Sequence, residues 1–301
     1  MARAHRLSPL HVALALAIVA IWGTNFVVIK VGLRDFPPFT FATLRFVLCA
    51  IPLVFVLRRP QVPWRWLVLF GVFLGPGQFG LLFYAMHGDI SPGLASLLIQ
   101  LQVFFTIALS MWLFRERLSA ASSLGILLGA AGLATVALHL DATVTLRGVL
   151  LLVAAAFCWA CANIVVKKAA QSAGHSVDML AFVVWSSLFA VPPLAMLTLA
   201  LEGGEAGWQA TTHAHWDAWG ALIWQAVGNT LFGYAAWNWL LTRYDAAVVT
   251  PYALLVPVFG MGASALLLGE ALPPWKLVAA AMVMGGIALI TLVRPRPRPA
   301  R

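Results

Sequence analysis

Amides stand inside the long apolar runs of this chain, among them Asn25, Gln78, Gln102, Asn163, Asn229 and Asn238. A side-chain amide supplies donors and an acceptor without a fixed charge. Set in apolar surroundings, such groups face a bundle interior or a wet cavity. Two kinds of chemistry follow. The amides can bind the ammonium and carboxylate of a zwitterion, or they can tie helices together by hydrogen bonds. The matched setting of Asn25 and Asn163 favours helix joining, and depth within the run favours binding at Gln78 and Gln102. Gln100 lies two residues before Gln102, about 200° away on an α-helix, so only the deeper Gln102 is expected to face a cavity.

Around the amides stand aromatic side chains and one buried cation. Trp159 and Trp237 each share a run with an asparagine of similar depth and, with Tyr252, are candidates for a cavity wall; packing is the competing role. Arg45 is the one fixed charge well inside a run, about 10 Å from its end. It can hold a carboxylate through a bidentate fork, or it can snorkel to a polar boundary or cap a neighbouring helix.

Gly75-Pro76-Gly77 interrupts one run near its middle, and Pro251 and Pro257 interrupt another. Proline frees a carbonyl that must be satisfied elsewhere, which marks these positions as hinges or as packing kinks.

Other chemistry is missing. Every Asp and Glu lies at a run end or in a connection, and no His lies near a run centre. A proton relay is therefore not visible. Glu116 and Glu270 are expected to bond the free N–H groups at the start of the helix that follows each. Cys158-Trp159-Ala160-Cys161 has redox spacing but sits in an apolar run without a neighbouring cation, where a thiolate is disfavoured. There is no phosphate-binding Gly-Lys loop, no His-Glu-x-x-His and no Gly-x-Ser-x-Gly. These absences predict neither an enzyme nor a cofactor nor a metal.

The elements that carry these residues follow from composition. Of 301 residues, 62% are hydrophobic and 10% charged, with a mean hydropathy of +0.93. Soluble domains carry about 25% charged residues, so this chain is expected to be a polytopic membrane protein. Runs of about 20 apolar residues fall at 10–33, 38–57, 64–86, 92–114, 119–139, 148–168, 178–200, 217–241, 246–269 and 273–293. The first is too long for a signal-peptide core. Connections are short except Glu202–Asp217, which reads as a loop.

Lys and Arg are placed unevenly. Arg3, Arg6, Arg58, Arg59, Arg65, Arg115, Arg117, Lys167, Lys168, Arg243, Arg294, Arg296, Arg298 and Arg301 fall on one side of such a bundle; Lys30, Arg34, Arg147 and Lys276 fall on the other. The basic excess marks the cytoplasmic side and puts both termini there. The formal charge of +9 is thus read as a contact with anionic lipid, not with nucleic acid.

Asn25-Phe-Val-Val-Ile-Lys30 returns as Asn163-Ile-Val-Val-Lys-Lys168, and Arg115-Glu-Arg-Leu118 falls on Gly269-Glu-Ala-Leu272 once the long connection is treated as an insertion. Five runs per half is an odd number, so the second half enters the membrane from the opposite side. Such inverted repeats are a feature of secondary transporters, with a site near the midplane. The expected architecture is all-α, ten transmembrane helices in two inverted five-helix repeats, residues 1–143 and 144–301, around a central cavity.

Ile21-Trp-Gly-Thr-Asn-Phe-Val-Val-Ile-Lys30, Leu44-Arg-Phe46, Gly93-Leu-Ala-Ser-Leu97, Arg115-Glu-Arg-Leu118, the 234–241 stretch and Leu254-Leu-Val-Pro-Val258 resemble the EamA-type drug/metabolite transporters from about Leu10 to Val293. Among them the chain looks most like bacterial exporters of cysteine, O-acetylserine and related metabolites. The resemblance implies export across the bacterial inner membrane by alternating access, with a small amino acid or metabolite as substrate. Aromatic amino acids or amphiphilic drugs are the alternative, and a channel or an intramembrane enzyme a distant one. Without a proton carrier, efflux is expected to run downhill. A monomer suffices. The glycine face Gly125, Gly129 and Gly132 serves close helix packing or a homodimer seam.

Overall fold

The computed structural model describes residues 7–114, 120–174, 176–244 and 246–292, with the side chains of Phe114, Asn238, Thr242, Ala246 and Ala247 outside that description. The Arg115–Leu118 motif, Glu116 included, also lies outside it. Among the described residues the fold is helical, and its extended pairings are isolated bridges from Val144 to Ile90 and to Asp141.

Helix starts follow local chemistry. Ser8 and Thr145 accept from the backbone N–H groups of His11 and Gly148, and Asp178 accepts from Leu180 and Ala181. These capping bonds satisfy orphan donors of the first turn. Proline opens other helices at positions 38, 92 and 274, where its missing N–H has no partner to lose.

Among the described residues, 8 helices are long and apolar enough to cross a membrane: α1 (Pro9–Gly32), α3 (Trp64–Gly88), α4 (Pro92–Leu113), α5 (Ala120–Ala137), α6 (Leu146–Ala173), α7 (Met179–Glu202), α10 (Thr250–Leu268) and α11 (Pro274–Leu292). Helix α2 (Pro38–Val54) is apolar and 17 residues long. Helix α9 covers 216–243 with a more polar middle. Large apolar side chains face outward along several of them, with Leu266 87% exposed. Such faces suit lipid rather than water.

The connection expected as a loop after α7 contains a further helix, α8 (Gly204–His213). Gln209 donates to Glu205 one turn earlier at 3.2 Å, and Glu205 and His213 stand at the ends that match their charge. Gly207 lies against Thr40, where a Cβ would approach Oγ1 to 3.0 Å.

Five interruptions break the regular helices, one of them the wide i→i+5 turn Thr198–Glu202 that ends α7; the other four shape the interior. Helices α3 and α9 each contain a wide i→i+5 turn, Phe73–Gly80 and Trp224–Phe232, and α4 and α10 each contain a tight i→i+3 turn, Ile99–Leu101 and Thr250–Leu255.

The packing has an order of its own. Helix α1 packs on α10 and α6 on α4; α3 packs on α6 and α9 on α1; α3 packs on α7 and α9 on α2. Helix α2 also packs on α7 and α3, α4 on α10 and α5 on α11. In the last pair a Cβ on Gly125 would stand 2.6 Å from the Gly286 carbonyl, and one on Gly132 2.7 Å from Val283. The glycine face of α5 is therefore occupied inside the chain by α11 and is not available as a seam to a second copy.

Candidate functional site: a central cavity

Seven helices enclose a cavity of about 530 Å³, within the range of small-molecule sites. Its wall combines Trp22, Asn25, Phe26 and Ile29 of α1 with Gln78, Phe79 and Leu82 of α3, Ile99, Gln100, Gln102 and Val103 of α4, and Trp159 and Asn163 of α6. Asn229, Tyr234 and Trp237 of α9, Thr250, Ala253, Leu254 and Val256 of α10, and Ile287 and Thr291 of α11 complete it. No carboxylate, Lys, Arg or His is among these described lining residues.

Of the residues singled out from the sequence, Asn25, Gln78, Gln102, Trp159, Asn163, Asn229 and Trp237 meet in this one wall. Their amides are not equivalent. Gln225 donates to Asn25 Oδ1 at 2.7 Å and accepts in return from Asn25 Nδ2 at 3.4 Å. That pair joins α9 to α1 and uses the Asn25 amide structurally. Asn163 Nδ2 donates to Gln102 Oε1 at 2.8 Å, joining α6 to α4. Gln78 differs from both: it is 3% exposed, and its Oε1 has no partner among the described residues.

Gln100 is a correction. It lines the cavity beside Gln102 and directs Nε2 toward the Ala253 carbonyl at 3.5 Å. The tight turn Ile99–Leu101 explains this. At three residues per turn, positions two apart lie about 120° from each other rather than 160°. The same geometry corrects Tyr252. Thr250, Ala253 and Val256 recur every third residue on the cavity side of the tight turn in α10. Tyr252 falls off that register and packs beside Leu240, Tyr244 and Val249. The Asn238 side chain lies outside the described residues.

Arg45 neither snorkels nor lines the cavity. It is 1% exposed, and its Nη2 donates to Thr230 Oγ1 at 2.8 Å. Its guanidinium lies over the Phe79 ring, 3.6 Å from the centroid, with the Phe46 and Phe83 rings at 5.4 and 5.9 Å. Nε and Nη1 have no partner among the described residues. A ring face gives a desolvated cation about 2 kcal/mol, whereas burying an ion costs several kcal/mol. The rings alone leave Arg45 under-compensated.

The interrupted helices put small residues where backbones approach. Gly75 faces Ala190 of α7, where a Cβ would stand 2.4 Å from the Ala190 Cβ, and Gly77 faces Cys158 of α6 at 2.9 Å. Pro76 lies between them in the wide turn; Pro251 lies in the tight turn of α10, and Pro257 opens the regular helix after it. Cys158 and Cys161 are free thiols.

Trp22 was not favoured by sequence reasoning, yet it organises one wall. Its indole N–H donates to the Asn229 carbonyl at 3.1 Å within the wide turn of α9, and its ring meets those of Trp237 and Tyr234 at 5.2 and 6.0 Å. The carbonyl it satisfies belongs to a wide turn in a distant helix without a proline, so no local signal in the sequence pointed to it.

The cavity reaches Thr250 and Thr291 at the end of the bundle that carries α1's start and α11's finish. Carboxylates bridge the helices at the other end, where a separate surface pocket of about 430 Å³, lined in part by Lys30, Ser91 and Glu270, is not part of the cavity. Glu270 accepts from Ser91 Oγ at 2.5 Å, Gly93 N at 2.8 Å and Lys276 Nζ at 2.9 Å. Glu202 caps α2 through Phe39 N and Thr40 N at 2.6 and 2.9 Å. Asp89 accepts from Thr145 Oγ1 at 2.8 Å and lies 3.5 Å from Arg147. Glu270 thus serves the start of α4 rather than the helix after it: Pro273 and Pro274 offer no N–H there, whereas Gly93 does.

Two stretches of the chain, residues 10–138 and 146–292, match the EamA-like transporter family. The chain belongs to that family. Among its EamA relatives, a Salmonella typhimurium protein described as a probable amino-acid metabolite efflux pump is 41% identical over 276 residues, covering 91% of this chain and 92% of its own. An Escherichia coli K12 protein of the same description is 39% identical over the same shares. A solved crystal structure with a TM-score of 0.61 and 19% identity covers 95% of this chain and 98% of its own, which shows the fold alone. The central cavity is therefore the candidate solute site of an EamA-type transporter.

Proposed function

We propose that this chain exports small amino acids or related metabolites across the bacterial inner membrane by alternating access through the central cavity. The observation that carries this reading is the wall itself: neutral amides and aromatic rings in one cavity, in a chain about 40% identical to two proteins described as amino-acid metabolite efflux pumps. Gln78, Gln100 and Gln102 supply polar contacts; Trp22, Trp159, Tyr234 and Trp237 supply shape and apolar contact.

Ten crossings in two inverted repeats, 1–143 and 144–301, form the moving parts. Exchanging α1, α2, α3, α4 and α5 with α6, α7, α9, α10 and α11 carries the principal packing pairs onto one another, and it carries the wide turn of α3 onto that of α9 and the tight turn of α4 onto that of α10. The wide turn that ends α7 has no counterpart in α2, and the α1–α4 and α10–α11 packings have no comparable counterpart. That supports a pseudo-two-fold relation in the membrane plane. Both termini are cytoplasmic on the Lys/Arg distribution, so a cavity reaching the terminal end faces the cytoplasm, ready to load. The Gly75-Pro76-Gly77 break and Pro251 and Pro257 act as hinges. Efflux runs down the substrate gradient, since no acid lies in the wall.

Counterflow of radiolabelled amino acids in proteoliposomes tests this. Trans-acceleration by at least one small neutral amino acid, weakened by Gln102→Ala and Trp237→Ala, is expected; a flux without trans-acceleration would mark a channel. The Trp22–Trp237–Tyr234 wall favours aromatic amino acids as the second reading, separated by the order of competition.

A further inference from the structure

Unpartnered buried polar atoms beside the cavity carry a pattern. Gln78 offers an acceptor, Oε1, and Arg45 offers donors, Nε and Nη1. Both side chains are more than nine-tenths buried. Phe79, which follows Gln78 in the chain, lines the cavity and covers the guanidinium face at 3.6 Å. Arg45 is therefore one ring away from the cavity. The two remaining unpartnered side-chain oxygens, of Ser186 and Ser264, do not line it.

We propose that Arg45 is a concealed carboxylate site, opened when Phe79 moves aside, and that it sets the substrate class as solutes bearing a carboxylate next to an ammonium. The inference rests on the export reading above and deepens it.

The chemistry is complementary at both poles. A guanidinium has five N–H donors and binds a carboxylate through two of them; Arg45 has one engaged, with Thr230. An ammonium is donor-only and matches the free Gln78 Oε1. An α-amino acid carries both groups on one carbon, and Gln78 and the door residue Phe79 are adjacent on one helix. Phe79 sits in the wide turn Phe73–Gly80, two residues after the Gly75-Pro76-Gly77 break that the same turn contains. A wide turn can return to ordinary helical spacing, which changes the direction of every side chain after it. Once the ring leaves, a carboxylate meets an otherwise uncompensated cation in low-dielectric surroundings, where the attraction is strong. Without a carboxylate nothing repays the ring's departure, so a solute lacking one stays in the outer cavity. The carboxylate is then a toll for Arg45 and not a general anion signal, because the wall itself holds no cation.

The test is competition against L-methionine counterflow in proteoliposomes, using L-methionine and L-methioninamide as probes. The intact protein is expected to prefer methionine by on the order of 100-fold, the loss expected for one hydrogen bond to a charged group. Arg45→Gln is expected to bring that ratio near one while methioninamide competes as before. Arg45→Lys, which keeps the charge and loses the fork, is expected to fall between and carries the test if the Gln variant does not fold. Phe79→Leu is expected to speed methionine counterflow and leave methioninamide unchanged. An unchanged ratio in Arg45→Lys or Arg45→Gln overturns the proposal, as does equal competition by both probes in the intact protein, with export intact. Absence of counterflow for every amino acid overturns the export reading together with this one.

Discussion

Glu270 and Lys276 form an ion pair of 2.9 Å at the carboxylate-bridged end of the bundle, with side-chain exposures of only 9% and 5%. The same carboxylate holds Ser91 and Gly93 at the start of α4, so one side chain ties the α10–α11 connection to the other half of the fold. Charge-assisted hydrogen bonds are worth about 1.5–3 kcal/mol each, comparable to the gap between two transporter states. Glu270→Gln is expected to loosen this end. A cysteine at Ile29, in the cavity wall, should then react several-fold faster with a membrane-impermeant maleimide from that side. Unchanged labelling would mean that Glu202 and Asp89 hold that end by themselves.

The Asn163–Gln102 bond is expected to behave as a helix joint as well as a piece of wall. Interhelical hydrogen bonds in membrane proteins average about 0.6 kcal/mol and reach about 1.7. Asn163→Ala and Gln102→Ala should each destabilise the protein by about 1 kcal/mol, and the double variant by little more than either. Reversible unfolding in mixed micelles measures this. Additive losses would show that the two amides act separately and that the 2.8 Å contact contributes nothing to stability.

His215 and Asp35 link the start of α9 to the α1–α2 connection, with Nδ1 2.9 Å from Oδ2. The hydrogen bond to Asp35 raises the His215 pKa above its usual 6.5, and backbone and side-chain bonds from His215 hold the Asp35 carboxyl below its usual 3.8. The raised His contributes fully below pH 6.5 and is lost as pH climbs through its folded value. The depressed Asp contributes above pH 3.8 and is lost as pH falls through its folded value. The link is therefore whole between those two usual values and weakens on either side. Both groups face solvent, so salt should screen it. Titration of the His215 ring by NMR should show a pKa above 6.5 that returns toward it in Asp35→Asn; identical titrations in both proteins would remove the link.

Much of this site was legible from residue type because an amide in an apolar run has few ways to exist. Asn25, Gln78, Gln102 and Asn163 stood out for that reason and converge on one cavity. Which amide is spent on a neighbour was not legible, because nothing in the 217–241 run marks Gln225 as the partner that lies fully buried against Asn25 on a distant helix. Gln100 and Tyr252 were misplaced for one shared cause: periodicity assumes uniform turns, and tight turns re-aim them. Arg45 was legible as a charge inside oil, but its cover of three phenylalanine rings comes from residues on two helices. The helix α8 was hidden because Gly203, Gly204 and Gly207 read as breakers, whereas Gly203 at φ 83 makes the turn and Gly207 makes room for Thr40.

The seam between α5 and α11 gives the last expectation. Gly125 and Gly286 face each other's carbonyls, with built Cβ positions 2.6 and 2.5 Å from them; no side chain fits without separating the helices. Overpacking of this kind typically costs about 1–3 kcal/mol. Gly125→Leu should lower the thermal midpoint and leave the oligomeric state in detergent unchanged, because the face it disturbs lies within one chain. Light scattering distinguishes the outcomes. Had this face joined two copies, Gly125→Leu would convert a dimer to a monomer and leave each chain's own midpoint untouched. Gly285 supplies the control: it has open space around its Cβ position, so Gly285→Ala on the same helix should be neutral or slightly stabilising by helix propensity.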